Sequence, residues 1–337
     1  MRCSVHVKTA ILAAALALTA AAQPARATEL IYAGNFEAPP DCSMPGSTGC
    51  PGFIIETPAV QVDPGQAVAY CYYFDAPTAA TLGIGRFSVD FAYPTAHVIV
   101  YNTYSNSGGA PADREAPGTL SSSNCGFTAS TNNTYARRVF SSHSSGETLN
   151  MPADDGGGQP LAIELTAGQP MFIEMYFENP DVSPVSASVR LRANGLATGA
   201  AYTKTATYMT YNASIFIPAS SSGTATASCA PPPSVKFWWL STHTHQYATN
   251  ATLGNSSGPI LVSSSDYAMP AIAQFPGPTF YQFGATDKLT YSCDYTNNTF
   301  STIMAGDDYQ HDENCVGVGY FFPATKPLIC VGNVGPQ

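Results

Sequence analysis

Two of the six histidines in this 337-residue chain, His243 and His245, stand one residue apart in "FWWLSTHTHQYAT" (237–249). In an extended strand alternate side chains share a face, so the two imidazoles would lie side by side with Thr244 pointing away. Neutral imidazole is the commonest side-chain metal ligand. Two on one face supply two of the three or four bonds that a copper or zinc site needs. The spacing alone also fits two strand histidines bonded to carbonyls and water. Other groupings carry less chemistry. "GDD" (306–308) and "HDEN" (311–314) bring carboxylates together as calcium sites do, but such a cluster reads first as a solvated acidic loop. "FWW" (237–239) reads as strand residues alternating between core and surface. No Gly-x-Ser-x-Gly elbow supports a hydrolase.

The elements that must position the pair are strands. Glycine (28) and proline (27) are abundant, and charged residues make up only 11% of the chain. Short runs rich in Val, Ile, Tyr and Phe alternate with turn residues, as in "AYCYYFD", "HVIVYNTY", "PMFIEMYFEN", "VKFWWLSTHTH" and "VGVGYFFP". This pattern predicts an all-β chain of two tandem jelly-roll-like β-sandwich domains. The boundary falls near "ANGLATGAAY", giving domains over 28–198 and 199–337.

The first 27 residues have the charged start, apolar middle and small-residue "ARA" ending of a secretory signal. Its removal leaves ten basic residues against 23 acidic ones, a net charge of about −13. That charge argues against nucleic acid, whose binding rests on basic patches. No later apolar run reaches the roughly 20 residues of a membrane-spanning helix. The expected location is secreted or periplasmic, and the expected partner is a small-molecule substrate or a reductant. Eight cysteines lie beyond the signal, four on each side of a cysteine-free stretch from 126 to 228. An even count in an oxidising compartment reads as disulfides.

Read with its downstream segments, the second half resembles the copper type II, ascorbate-dependent monooxygenases, the family of peptidylglycine α-hydroxylating monooxygenase and dopamine β-hydroxylase. "STHTHQY" looks like the family's His-Thr-His strand, and "SSDYAMPAIAQF" like the Tyr-x-x-Pro segment after it. "GATDKLTYSCDYTNNT" and "DDYQHDENCVGVGYFFP" resemble the Gly-Asp-to-Cys run and the acidic-Glu-Met-Cys segment that ends in paired aromatics. In the first half "AYCYYFDAP", "YPTAHVIVYNT", "YARRVF", "NMPADDGGG" and "MFIEMYFENPD" fall in the family's order, more weakly. The resemblance implies two sandwiches side by side with copper on their facing surfaces. It implies disulfides Cys71–Cys125, Cys229–Cys330 and Cys293–Cys315, which leaves Cys42 and Cys50 as a local pair.

The departures bear on activity. His243 and His245 match the histidines of the oxygen-activating copper, but Asn314 stands where the family has methionine. A carboxamide oxygen is harder than a thioether and favours Cu(II) over Cu(I). His311, three residues earlier, is the other candidate for the third donor. For the electron-donating copper, His97 matches one of the family's histidine pair, Val98 replaces the other, and Tyr176 replaces the later histidine. That site reads as absent, with His97 and Tyr176 as its relics. Ser241 and Val318 stand where the peptide-specific enzyme has arginine and tyrosine, so an amidated peptide is not implied. The expectation is one copper ion in the second domain, with an external reductant such as ascorbate, hydroxylating a small substrate. The alternative is a non-catalytic copper-binding or interaction protein that keeps the fold.

Overall fold

A computed structural model describes residues 51–103, 115–123, 125–127 and 136–334, all within one compact unit. The signal segment and the Cys42–Cys50 pair lie outside the described residues. Those described contain strands and no α-helix, so no helix among them is long and apolar enough to cross a membrane.

The strands form two β-sandwiches. In the first, one sheet runs in the order Gly52–Glu56, Val189–Gly195, Leu82–Phe91, Leu161–Leu165 and Thr203–Lys204. Its facing sheet runs Leu120–Ser121, Ala67–Asp75, Pro170–Glu178, Thr95–Thr103 and Ala136–Ser142. The second sandwich packs Ile272–Gln274, Lys236–His243, Val316–Phe322, Ala206–Tyr211 and Leu328–Val331 against Ser221–Cys229, Leu289–Asn297, Ala248–Asn255 and Ile260–Ser264. Thr203–Lys204 still pairs with the first sandwich, so the chain crosses at Thr205. That residue ties the junction: its hydroxyl donates to the Phe321 carbonyl and accepts from the Trp238 indole.

Burial patterns show which sheets face each other. Leu289–Asn297 alternates buried and half-buried residues, with Leu289, Tyr291, Cys293 and Tyr295 turned into the core, as expected of a sheet with one wet face. Val316–Phe322 is buried at every position, and Thr95–Thr103 at all but one. Strands covered on both faces must be sandwiched twice. The second cover is the other sandwich: Tyr73, Ile99, Tyr101 and Phe172 from the first pack with Met209, Tyr211, Val316 and Val318 from the second in one apolar cluster. Hydrogen bonds cross the same interface, from Thr207 to the Arg138 carbonyl (2.6 Å) and from Tyr320 to the Val139 carbonyl (2.8 Å). Within the second sandwich, Gly319 leaves room for Leu240 and Phe237, since an added Cβ would lie 2.6 Å from Leu240.

Phe237 and Trp238 are both buried because a bulge between Phe237 and Trp239 breaks the simple alternation. Phe237 fills the second sandwich, whereas Trp238 packs into the core of the first. Exposed ion pairs such as Arg190–Glu56 contribute at most about 1 kcal/mol, against about 1.5–3 kcal/mol for each large core side chain. Disulfides join Cys71–Cys125, Cys229–Cys330 and Cys293–Cys315, as the resemblance implied, and they fit an oxidising compartment.

Candidate metal centre

The interface between the sandwiches gathers four of the chain's histidines. His97 sits in Thr95–Thr103 directly opposite Tyr176, on the sheet face turned to the second sandwich, with their rings 5.3 Å apart. His143 follows the end of Ala136–Ser142, 5.6 Å from His97. From the other side His243 ends Lys236–His243, opposite Val316, and His245 follows in the turn. The His243 and His245 rings are 5.6 Å apart, and His243 is 5.9 Å from His97 across the interface.

His245 is fully buried and fixed at both nitrogens. Nδ1 lies 3.0 Å from the Asp312 carbonyl, which can only accept, so Nδ1 carries the proton. The lone pair is therefore on Nε2, which faces the Asn314 amide nitrogen at 2.9 Å. A carbonyl holding the far nitrogen is the usual way a protein orients a metal-binding imidazole. Asn314 Oδ1 and His243 Nδ1 are buried without hydrogen-bond partners, as is His143 Nε2. Such orphans are costly in a folded protein, roughly 1–3 kcal/mol each, and mark places where a further group fits. The residues that would hold a copper ion here are His243 and His245, with the unpartnered Asn314 amide oxygen beside them.

Glu313 anchors the strand end. Its carboxylate accepts backbone N–H bonds from His245 (2.9 Å), Tyr247 (2.6 Å) and Asn314 (3.2 Å). Burial pushes this carboxyl up to about 7, although the N–H bonds oppose the rise. Burial also keeps the imidazoles neutral. His143 and His245 are lowered to about 4, and His97 and His243 well below 6.5. Neighbouring charge adds to the effect, from His143 at His97 and from Arg138 at His243. Neutral rings keep the lone pairs that a metal requires.

Tyr309 fills the middle of the cluster. Its ring lies 3.9 Å from His245, 4.3 Å from Tyr176 and 4.6 Å from His97. Its hydroxyl is 2.6 Å from His97 Nε2 and 3.5 Å from His243 Nε2. Beneath it Glu174 is 2% exposed, and burial raises its carboxyl to about 8. His97, His143, His243, Tyr176, Tyr309 and Glu178 line a pocket of about 110 Å³. Farther along the interface a cleft of about 810 Å³ is lined by Trp238, Trp239, Phe140 and Tyr320, with Glu147 and Asp154.

The structure thus brings together His243, His245 and Asn314, and places His97 and Tyr176 beside them. It does not bring in His311. That side chain is 75% exposed and pairs with Asp308 at 2.9 Å, because the turn over 308–312 points it to water. Val98 is buried in the first sandwich's core, on the strand face away from His97. The acidic residues around 306–314 disperse: Asp308 faces water, whereas Glu313 turns into the backbone. Among the described residues no group of three or more His, Cys, Asp or Glu side chains is arranged to hold a metal ion. Sequence reasoning missed Tyr309 and His143 as members of the cluster. Tyr309 lies in the segment that carries Asn314, which was the one available signal. His143 had none.

No family model matches the chain, and no curated protein does. Among solved structures it is similar to the major capsid protein P2 from bacteriophage PM2, at 7% identity and a TM-score of 0.33, covering 80% of this chain and 97% of that one. The STIV MCP gives 9% and 0.31 with coverages of 80% and 97%, and the cowpea mosaic virus top component gives 8% and 0.32 with 83% and 94%. Likeness at these scores carries no functional implication.

Proposed function

We propose that the protein is an exported, copper-dependent monooxygenase-like protein that holds one copper ion through His243 and His245, beside Asn314. The observation that carries this reading is the state of His245. The Asp312 carbonyl fixes its tautomer, its Nε2 accepts from the Asn314 amide N–H, and the Asn314 oxygen is buried without a hydrogen-bond partner. When bound, copper supplies one-electron redox chemistry and a place for oxygen to bind. Glu313 holds the strand end that carries His245, and burial keeps both imidazoles deprotonated. The cleft beside Trp238 and Trp239 is large enough for a small substrate. With Val98 and Tyr176 in place of ligands, the first sandwich lacks a second histidine set, so both electrons come from an external reductant.

The test is oxygen consumption by the purified, copper-loaded protein with ascorbate. The expected result is reductant-dependent uptake that disappears in His243→Ala. A second reading, copper binding without turnover, is favoured by the Tyr309 ring, which lies against His245 and restricts approach. Copper retained with no oxygen uptake under any reductant selects it.

A further inference from the structure

The chain has two tryptophans, Trp238 and Trp239, and both line the cleft of about 810 Å³ between the sandwiches. We propose that this cleft binds a neutral oligosaccharide, with one pyranose ring stacked on Trp239. This rests on the reading of the cleft as the substrate site and names the class of ligand; binding itself requires no copper.

The first sandwich supplies one wall through Glu147, Asn150 and Asp154, and the second supplies the other through Trp239, Gln274 and Phe275. The walls approach at Gly277, where an added Cβ would lie 3.4 Å from the Asp154 carbonyl oxygen. The volume lies in the upper part of the roughly 300–1,000 Å³ of small-molecule sites, which leaves room for more than one sugar ring. Trp239 is half-buried and set edge-to-face on Tyr320 at 5.3 Å, and Phe275 is half-buried against Tyr281 at 5.2 Å. Packing therefore holds both rings in place before a ligand arrives, which lowers the ordering cost of binding. A pyranose has a face of C–H groups, which an aromatic ring covers, and an edge of hydroxyls, which needs polar partners.

Those partners are present. Glu147 accepts on one oxygen from the Ser142 hydroxyl (2.9 Å) and the His143 N–H (3.1 Å). Asp154 accepts on one oxygen from the Gly156 (2.7 Å) and Gly158 (2.9 Å) N–H groups. Each carboxylate is thus held in place by one oxygen and offers the other to hydroxyl donors. The exposed Gln274 amide adds both a donor and an acceptor. Among the described residues no Lys, Arg or His lines the cleft, so a phosphate, sulfate or carboxylate ligand would meet two carboxylates and no cation. A cationic amine is the other chemistry that two acids attract. Recognising one calls for ring faces closed around the charge, or for a carboxylate sheltered from water. Phe140, Trp238 and Tyr320 are instead buried in packing, and Asp154 is exposed. Open stacking platforms edged by uncharged and acceptor groups suit a sugar better.

The experiment titrates the copper-free, full-length protein with cellopentaose, maltopentaose and penta-N-acetylchitopentaose. Both tryptophans lie in the cleft, so intrinsic fluorescence reports its occupancy, and calorimetry gives the affinity. The expected result is a saturable change in emission with at least one of the three, with affinity at least tenfold weaker in Trp239→Ala and at least threefold weaker in Gln274→Ala. Gln274 is exposed, so loss of binding there is not loss of the fold, and Trp239→Phe, which keeps a ring, should recover part of the affinity. No saturable response to any of the three sugars, affinity unchanged in both alanine variants, or a stronger response to phenethylammonium than to every sugar overturns the proposal. Sugar binding without oxygen uptake removes the monooxygenase reading alone; oxygen uptake without sugar binding removes this proposal alone.

Discussion

Asn314 presents an amide to the proposed copper site, and its side chain nitrogen touches His245 Nε2 at 2.9 Å. Replacing it by methionine returns a soft donor to the site. Asn314→Met is expected to raise Cu(I) affinity relative to Cu(II) by tenfold or more, measured by competition with a Cu(I)-selective chelator. An unchanged ratio would mean that residue 314 does not touch the ion. At this scale the sequence was partly legible. That His243 and His245 lie together was legible from their spacing, and the structure sets Asn314 against His245. Tyr309 was not legible, because it is one of 19 tyrosines and lies in a run of acidic residues that reads as solvated. Only the turn that exposes Asp308 and His311 while half-burying the Tyr309 ring against the histidines sets its direction.

The loop from Gly306 to Cys315 delivers both Tyr309 and Asn314, and its far end is fastened by Cys293–Cys315 to strand Leu289–Asn297. The closed loop spans 22 residues of sequence, for which a disulfide contributes about 3 kcal/mol through the unfolded chain. The Cys293→Ser/Cys315→Ser double variant should therefore unfold about 3 kcal/mol more easily in a urea titration and bind copper more weakly. Full stability in the variant would show that the loop is held by Glu313 and its neighbours alone. Strands were the most legible elements, since alternation and turn residues mark them directly. The "FWW" run was misread in detail: a bulge is a one-residue insertion in pairing, and periodicity alone cannot place it.

Across the whole molecule, two sandwiches share one interface, and titratable groups are buried inside it. The four imidazoles have folded values below 6.5, so they bind fewer protons folded than unfolded. Their contribution to stability grows as pH rises from about 4 to 6.5. Glu174 and Glu313, raised to about 8 and about 7, run the other way, and stability falls as pH rises from 4.5 through those values. Four groups outweigh two up to about pH 6.5, and the carboxyls alone act above it. Thermal midpoints should peak between about pH 6 and 7 and decline towards pH 8. A midpoint still climbing from pH 7 to 8 would contradict this assignment of buried charge. That two sandwiches exist was legible from the strand count; that their inner sheets are buried on both faces was not, because apolar runs do not say what covers them. The copper assignment meets its most direct test in a calorimetric Cu(II) titration of the full-length protein and of the His243→Ala/His245→Ala double variant. One ion per chain in the first and none at that affinity in the second is the predicted result; no binding in the first, or equal binding in both, contradicts it.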